Sequence, residues 1–204
     1  MITVVSVIAF FLLYTVGRVI YRLFILKPDL EKYKKRDSWA VVTGASDGIG
    51  LGFVKVLAAH GFNVLLVSQS EAKLKLKVEE LKRQFKTVKF DYCVSNANDL
   101  QSIGAVAEKC KAIGDFAILV NNVGIGQGTA DCLENLPTDR LEQMVTVNCT
   151  YPLLLTQKLL PQLKQRQHRS AILNISSVTA HLHYPYGTTY AATKAFNRSF
   201  SVSL

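Results

Sequence analysis

Three observations predict a doubly wound parallel α/β sheet preceded by an N-terminal apolar segment. From Trp39 onward, short β-branched runs alternate with stretches of helical periodicity. A glycine cluster follows the first of those runs directly. Ahead of Trp39 lies an apolar run too long for an ordinary strand. The 204 residues suit one domain with an appendage, and 49% apolar against 19% charged residues excludes disorder. Five prolines and twelve glycines exclude a collagen-like or low-complexity chain. Cys93, Cys110, Cys132 and Cys149 lie far apart without a C-x-x-C, which fits free thiols in a reducing compartment.

Residues 2–17 carry no charge, and apolar character continues past Arg18 and Arg22 to Leu26. A spanning helix needs about 20 apolar residues. Residues 1–27 are therefore expected to form a membrane-anchor helix, its two arginines reaching one headgroup layer. The alternative is a cleavable signal peptide, but no Lys or Arg precedes the run and no small-residue cleavage site follows it. Pro28 is expected to end the helix, leaving 28–38 as a basic connector. Residues 1–38 hold seven basic and three acidic groups, which is +4 of the total +9. The basic side of the anchor faces the cytosol by the positive-inside rule, and the rest of the chain follows it there. The other +5 is spread over 166 residues without aromatic–basic interleaving, so nucleic acid is not an expected partner.

Residues 39–204 read as a dinucleotide-binding domain. Strands are expected at 39–42, 63–67, 88–94, 117–120 and 171–175. Helices are expected at 50–60, 71–86, 99–112, 138–165 and from 190 onward. In the second of these, Leu74, Val78, Leu81 and Phe85 fall on one face. The alternation implies a parallel sheet covered on both sides. The first strand runs into Thr43-Gly44-Ala45-Ser46-Asp47-Gly48-Ile49-Gly50. Gly44 permits a tight turn, Gly48 a close backbone approach to a pyrophosphate, and Gly50 close packing of helix on strand. The following helix N-terminus offers N–H groups to an anion.

The spacing G-x-x-x-G-x-G resembles that of the short-chain dehydrogenase/reductase family. Further motifs follow in the family's order. Asn121-Asn122-Val123-Gly124 is similar to its N-N-A-G segment, Asn148 sits in the long fifth helix, and Ser177 precedes Tyr190 by thirteen residues. Tyr190-Ala191-Ala192-Thr193-Lys194 matches Y-x-x-x-K. The resemblance covers residues 39–204 and implies a Rossmann-like, NAD(P)-binding oxidoreductase. It implies cofactor contacts from Gly44, Ser46, Asp47, Gly48, Ile49, Gly50, Gln69, Asn121, Val123, Gly124, Tyr190 and Lys194. It implies a catalytic set of Asn148, Ser177, Tyr190 and Lys194.

The chemistry is intelligible from residue types. A free phenol, with a pKa of about 10, carries protons poorly near neutrality, and a lysine ammonium one helical turn away favours its phenolate. Tyr190 is thus expected to be the general acid–base and Lys194 its tuning cation, which by resemblance also holds the nicotinamide ribose. Ser177, rather than the adjacent Ser176, is expected to polarise the substrate carbonyl. Asn148 by resemblance positions a water that links Lys194 to solvent. His181 and His183 read as pocket-lining or exposed loop residues, not metal ligands, and no metal is expected.

An NAD-preferring site places an acid at the end of the second strand. Here Ser68-Gln69-Ser70 stands there, with Lys73 nearby, so NADP(H) is expected over NAD(H). Close family members often carry Arg at the place of Gln69, and Asn96 stands where an adenine-contacting Asp is common. The anchor, Trp39–Gly44, Asn121–Gly124 and Asn174–Ser177 together resemble one branch of the family. That branch is the membrane-bound 17β-hydroxysteroid dehydrogenases and very-long-chain 3-oxoacyl-CoA reductases. It implies a lipid-like keto or hydroxyl substrate, a location in the endoplasmic reticulum membrane, and a homodimer through the long fifth and sixth helices. The family continues past the position of Leu204 with two strands and a substrate-covering loop, so the sheet is expected to show a bare edge strand. A membrane-anchored nucleotide- or partner-binding fragment without activity is the competing expectation.

Overall fold

In the computed structural model, which describes residues 4–21, 24 and 29–204, the chain divides into two units, 1–32 and 33–204. The first unit carries helix α1 (Val4–Ile20), 17 residues long. Its apolar side chains, among them Phe10, Phe11 and Leu13, are exposed. The Arg18 guanidinium sits 5.6 Å from the centroid of the Tyr14 ring, one turn back on the same face. The rest of the expected 1–27 stretch lies largely outside the described residues. Among the described residues no helix is long and apolar enough to cross a membrane. The expectations for Arg22, Lys27 and Pro28 fall outside the described residues.

The second unit is a five-stranded parallel sheet in the order β3-β2-β1-β4-β5. Its strands are β1 (Trp39–Thr43), β2 (Asn63–Ser68), β3 (Phe90–Val94), β4 (Phe116–Asn121) and β5 (Ala171–Asn174). The central three are buried nearly end to end, which is why their sequences are unbroken apolar runs rather than alternating ones. The two outer strands differ: β3 is buried only at Phe90 and Cys93, and all of β5 is half-buried. Helices α2 (Gly48–Ala59), α3 (Glu71–Gln84), α4 (Ile103–Ile113), α6 (Tyr151–Lys164) and α7 (Thr188–Ser203) cover the sheet. Each connection of β1, β2 and β4 to a parallel neighbour passes through a helix, the βαβ arrangement that the sequence alternation predicted. The main core lies under α4 and α6, where Leu65, Val67, Val106, Phe116, Leu119 and Leu155 meet.

Element boundaries fall close to expectation, with three instructive departures. The third strand begins at Phe90, because Lys89 lends its N–H to the Asn63 side chain and its carbonyl to Val64. The expected helix over 99–112 opens with a single 3₁₀ turn, capped by Asp99, and becomes α-helical at Ile103. The expected helix over 138–165 is two helices, α5 (Thr138–Val145) and α6, joined by a π-turn over Thr146–Thr150. Pro152 has no N–H for the carbonyl four residues earlier, that of Asn148. The ladder shifts there, and the Tyr151 N–H bonds to Thr146.

Candidate active site

The strand order reverses between β1 and β4, and a groove opens there beyond the carboxyl ends of the strands. Its floor is the turn after β1. Gly44 has φ +64°, a left-handed conformation that a side chain would strain, and a Cβ there would come within 2.9 Å of the Asn122 amide. A Cβ on Gly50 would lie 2.2 Å from the Gly44 carbonyl, so glycine alone lets α2 start this close to the strand. At Gly48 a Cβ would meet nothing, leaving the mouth of the turn open at the N-terminus of α2. Asp47 caps that helix by accepting from the Gly48 N–H at 2.7 Å.

The facing wall is the segment after β4. Thr43 Oγ1 accepts from the Asn122 and Val123 N–H groups at 3.0 and 3.1 Å, and the Asn122 side chain donates to the Thr43 carbonyl at 2.9 Å. These bonds fix Val123 and Gly124 across from Gly44. One end of the groove, about 230 Å³, is lined by Ser68, Gln69, Ser95 and Asn96. The other, about 520 Å³, is lined by Asp47, Gly48, Ile49, Ser176, Tyr190 and Lys194. Gly44, Val123, Gly124 and Ile125 line both ends, so the groove is continuous. A long ligand with two different ends fits this shape, and a dinucleotide is such a ligand.

At the wider end, α7 presents Tyr190 and Lys194 on one face, with the ammonium 5.6 Å from the centroid of the Tyr190 ring. Lys194 is 5% exposed and donates to the Ile175 carbonyl at 3.0 Å. Burial pulls its pKa below the ordinary lysine value, partly opposed by Cys149. Asn148, on the π-turn, is buried beside them. Its Oδ1 accepts from the Ile125 N–H at 2.8 Å, and its Nδ2 donates to the Ile125 carbonyl at 2.9 Å and to Thr193 Oγ1 at 3.0 Å. A Cβ on Gly124 would sit 3.2 Å from Asn148 Oδ1 and 3.3 Å from Lys194 Nζ, so the glycine fits between them. The amide of Asn148 thus holds the 124–126 segment against α7.

The structure brings Gly44, Asp47, Gly48, Ile49, Gln69, Val123, Gly124, Tyr190 and Lys194 to the groove wall. The five other expected residues, Asn148 already described among them, are not part of that lining. Ser46 bonds Ser68 Oγ at 2.9 Å, and Gly50 is packed under the turn. Asn121 ties the sheet to α6 and β5 by donating to Thr156 and Asn174. Ser177 caps the 3₁₀ turn over 178–180 by accepting from the Thr179 N–H at 3.2 Å. Its neighbour Ser176 lines the groove and donates to the Lys194 carbonyl at 2.6 Å, fastening α7. Sequence reasoning missed Thr43, Asn122, Ile125 and Thr193 as the groove's supports. Pro152, four residues after Asn148, is the sequence signal that marks the π-turn. The four cysteines are free thiols. Burial raises Cys110 to about 12 and Cys149 to about 11, so neither is a ready nucleophile.

A parallel sheet with a glycine turn at its switch point places the chain in the doubly wound α/β class, and the short chain dehydrogenase family model matches residues 38–204. The chain belongs to that family. The very-long-chain 3-oxoacyl-CoA reductase of Pyricularia oryzae is 39% identical over 191 residues, covering 91% of this chain and 56% of its own length. The enzyme of that name from Aspergillus fumigatus is 38% identical over 196 residues, covering 93% and 55%. The chain thus spans about half the length of the curated relatives it matches. Among solved structures, the L-sorbose reductase of Gluconobacter frateurii complexed with NADPH and L-sorbose superposes with a TM-score of 0.75 at 26% identity. That match covers 82% of this chain and 62% of the other.

Proposed function

We propose that the protein is an NADP(H)-dependent oxidoreductase that interconverts a keto and a hydroxyl group on a lipid-like substrate, a 3-oxoacyl-CoA before a steroid. The observation that carries this reading is the meeting of Tyr190 and Lys194 with the glycine turn in one continuous groove. The bound dinucleotide supplies the hydride. Gly44, Gly48 and Ile49 would hold its phosphates against α2, and Gln69 and Asn96 would border its adenosine end. Tyr190 Oη gives its proton to the carbonyl oxygen as that oxygen becomes a hydroxyl, and takes it back in the reverse direction. The Lys194 ammonium stabilises the phenolate left behind. The Ser177 hydroxyl accepts from the Thr179 N–H and keeps its own O–H, which would donate to the same carbonyl oxygen.

The 3-oxoacyl-CoA preference is supported by the names of the two fungal relatives. NADP(H) is supported by Ser68-Gln69-Ser70, which sets no carboxylate at the end of β2. The exposed apolar face of α1 and the basic residues after it support attachment to the endoplasmic reticulum membrane with the domain in the cytosol. A homodimer through the helices after β4 belongs to the same proposal. The test is a microsomal assay of the protein with NADPH, offering a 3-oxoacyl-CoA and a keto-steroid in parallel. Oxidation of NADPH dependent on the acyl-CoA is expected. Turnover of the steroid alone would overturn the substrate assignment, and turnover of neither would overturn the reductase reading.

A further inference from the structure

Because all five strands are parallel, the segments that enter them gather at the end of the sheet opposite the groove. These segments are 33–38, 60–62, 85–89, 114–115 and 165–170. Hydrogen bonds join them into one surface. The Asn63 N–H bonds to the Ser38 carbonyl, the Trp39 N–H to the Asp115 carbonyl, and the Lys34 ammonium to the His60 carbonyl. Arg166 reaches Asp115, Arg169 and Tyr33 together. These segments carry Lys34, Lys35, Arg36, Lys86, Lys89, Arg166 and Arg169 against Asp37 and Asp115 only; Arg166 pairs with Asp115, and Lys89 lies 3.8 Å from Asp37. The segments that leave the strands at the groove end are 44–47, 69–70, 95–99, 122–137 and 175–187. They hold Asp47, Asp99, Asp131 and Glu134 and no lysine or arginine. The charge that is dispersed in the sequence is therefore sorted to opposite ends by the topology.

We infer that this basic end is a docking surface for an anionic lipid bilayer, which it engages with the groove turned away from the headgroups. Three observations favour a bilayer over other polyanions. Lys35, Arg36, Lys86, Lys89 and Arg169 are exposed on the connectors entering β1, β3 and β5, which spreads them over the full width of the sheet. The chain enters the domain on this surface at Tyr33, directly after the segment that carries the exposed apolar α1. The acidic loops at the other end are repelled by the same headgroups, which makes one orientation preferred. The inference rests on the proposed membrane attachment through the N-terminal segment and is independent of the reductase reading.

The test uses the full chain reconstituted in vesicles of phosphatidylcholine, alone or with about a third phosphatidylserine, and reads backbone hydrogen exchange. On the anionic vesicles, exchange in 33–38, 85–89 and 165–170 slows on the order of tenfold relative to neutral vesicles, while 122–137 is unchanged. Raised salt removes the difference. So does the triple change Lys86→Glu, Lys89→Glu and Arg169→Glu, and the milder Lys86→Gln, Lys89→Gln and Arg169→Gln removes most of it should the first fail to fold. Equal exchange on the two vesicle types, or protection of 122–137 instead, overturns the inference. Slowing by added RNA on neutral vesicles with none from anionic lipid overturns it as well. Failure of the wild-type chain to float with neutral vesicles would count against the membrane attachment itself, a separate result.

Discussion

At the base of the sheet, polar side chains are spent on one another. Arg166, its side chain 5% exposed, gives its guanidinium to both Asp115 oxygens, to two backbone carbonyls and to Ser170, and Asp115 also accepts from Ser38 at 2.6 Å. At the groove end the scaffold is bonded just as fully, through Thr43, Asn122 and Asn148, but these bonds hold backbone in place. The groove that they frame is lined by Gly48, Val123, Gly124 and Tyr190. One end stores stability and the other presents chemistry. Substitutions at the two ends should therefore separate folding from function.

The largest expected effect is at the groove. Tyr190→Phe should lower turnover by on the order of 10²–10⁴, leaving the unfolding midpoint and NADPH affinity unchanged, as steady-state kinetics beside a denaturation curve would measure. The next is at the base. Arg166→Ala should cost about 1–3 kcal/mol by urea denaturation, because it removes the guanidinium from Asp115, which stays part-solvated and bonded to Ser38, and from two carbonyls, with no change in NADPH affinity while the protein remains folded.

A smaller effect distinguishes the two ends by pH. Burial raises the Asp115 pKa, but hydrogen bonds from Arg166 and Ser38 and the nearby positive charge outweigh it and hold the group below its ordinary 3.8. A carboxylate with a depressed folded pKa stabilises the fold above the unfolded value, and that contribution is lost as pH falls below 3.8 through the folded value. Asp115→Asn should flatten the stability curve in that acid range, whereas Tyr190→Phe should leave its shape intact. The smallest effect concerns the narrower end of the groove. Gln69→Arg should raise the preference for NADPH over NADH by about tenfold in kcat/KM by giving a 2′-phosphate a guanidinium partner.

Much of this division was legible in the sequence. Val-Leu-Leu-Val in β2 and Ala-Ile-Leu-Val in β4 declare buried parallel strands, and the glycine spacing places the turn. Tyr190 and Lys194 are four apart on a helix, so their shared face follows from periodicity. What sequence could not supply was the side of the backbone on which each polar group ends. Asn121 and Asn122 are adjacent, yet one serves the interior and the other the groove turn. Ser176 and Ser177 likewise divide between fastening α7 and capping a turn. The π-turn was hidden because Thr-Val-Asn-Cys-Thr has no helix breaker of its own, and Pro152 acts from outside it. The basic base was invisible because its residues lie on connectors far apart in the chain and meet only once the strands are parallel.

Hydrogen exchange of the wild-type protein with and without NADPH tests the central claim most directly. Protection is predicted in 44–50, 122–126 and 190–194, with 33–38 and 165–170 unaltered. Protection confined to the base, or no change anywhere at saturating NADPH, would contradict a dinucleotide site at the groove.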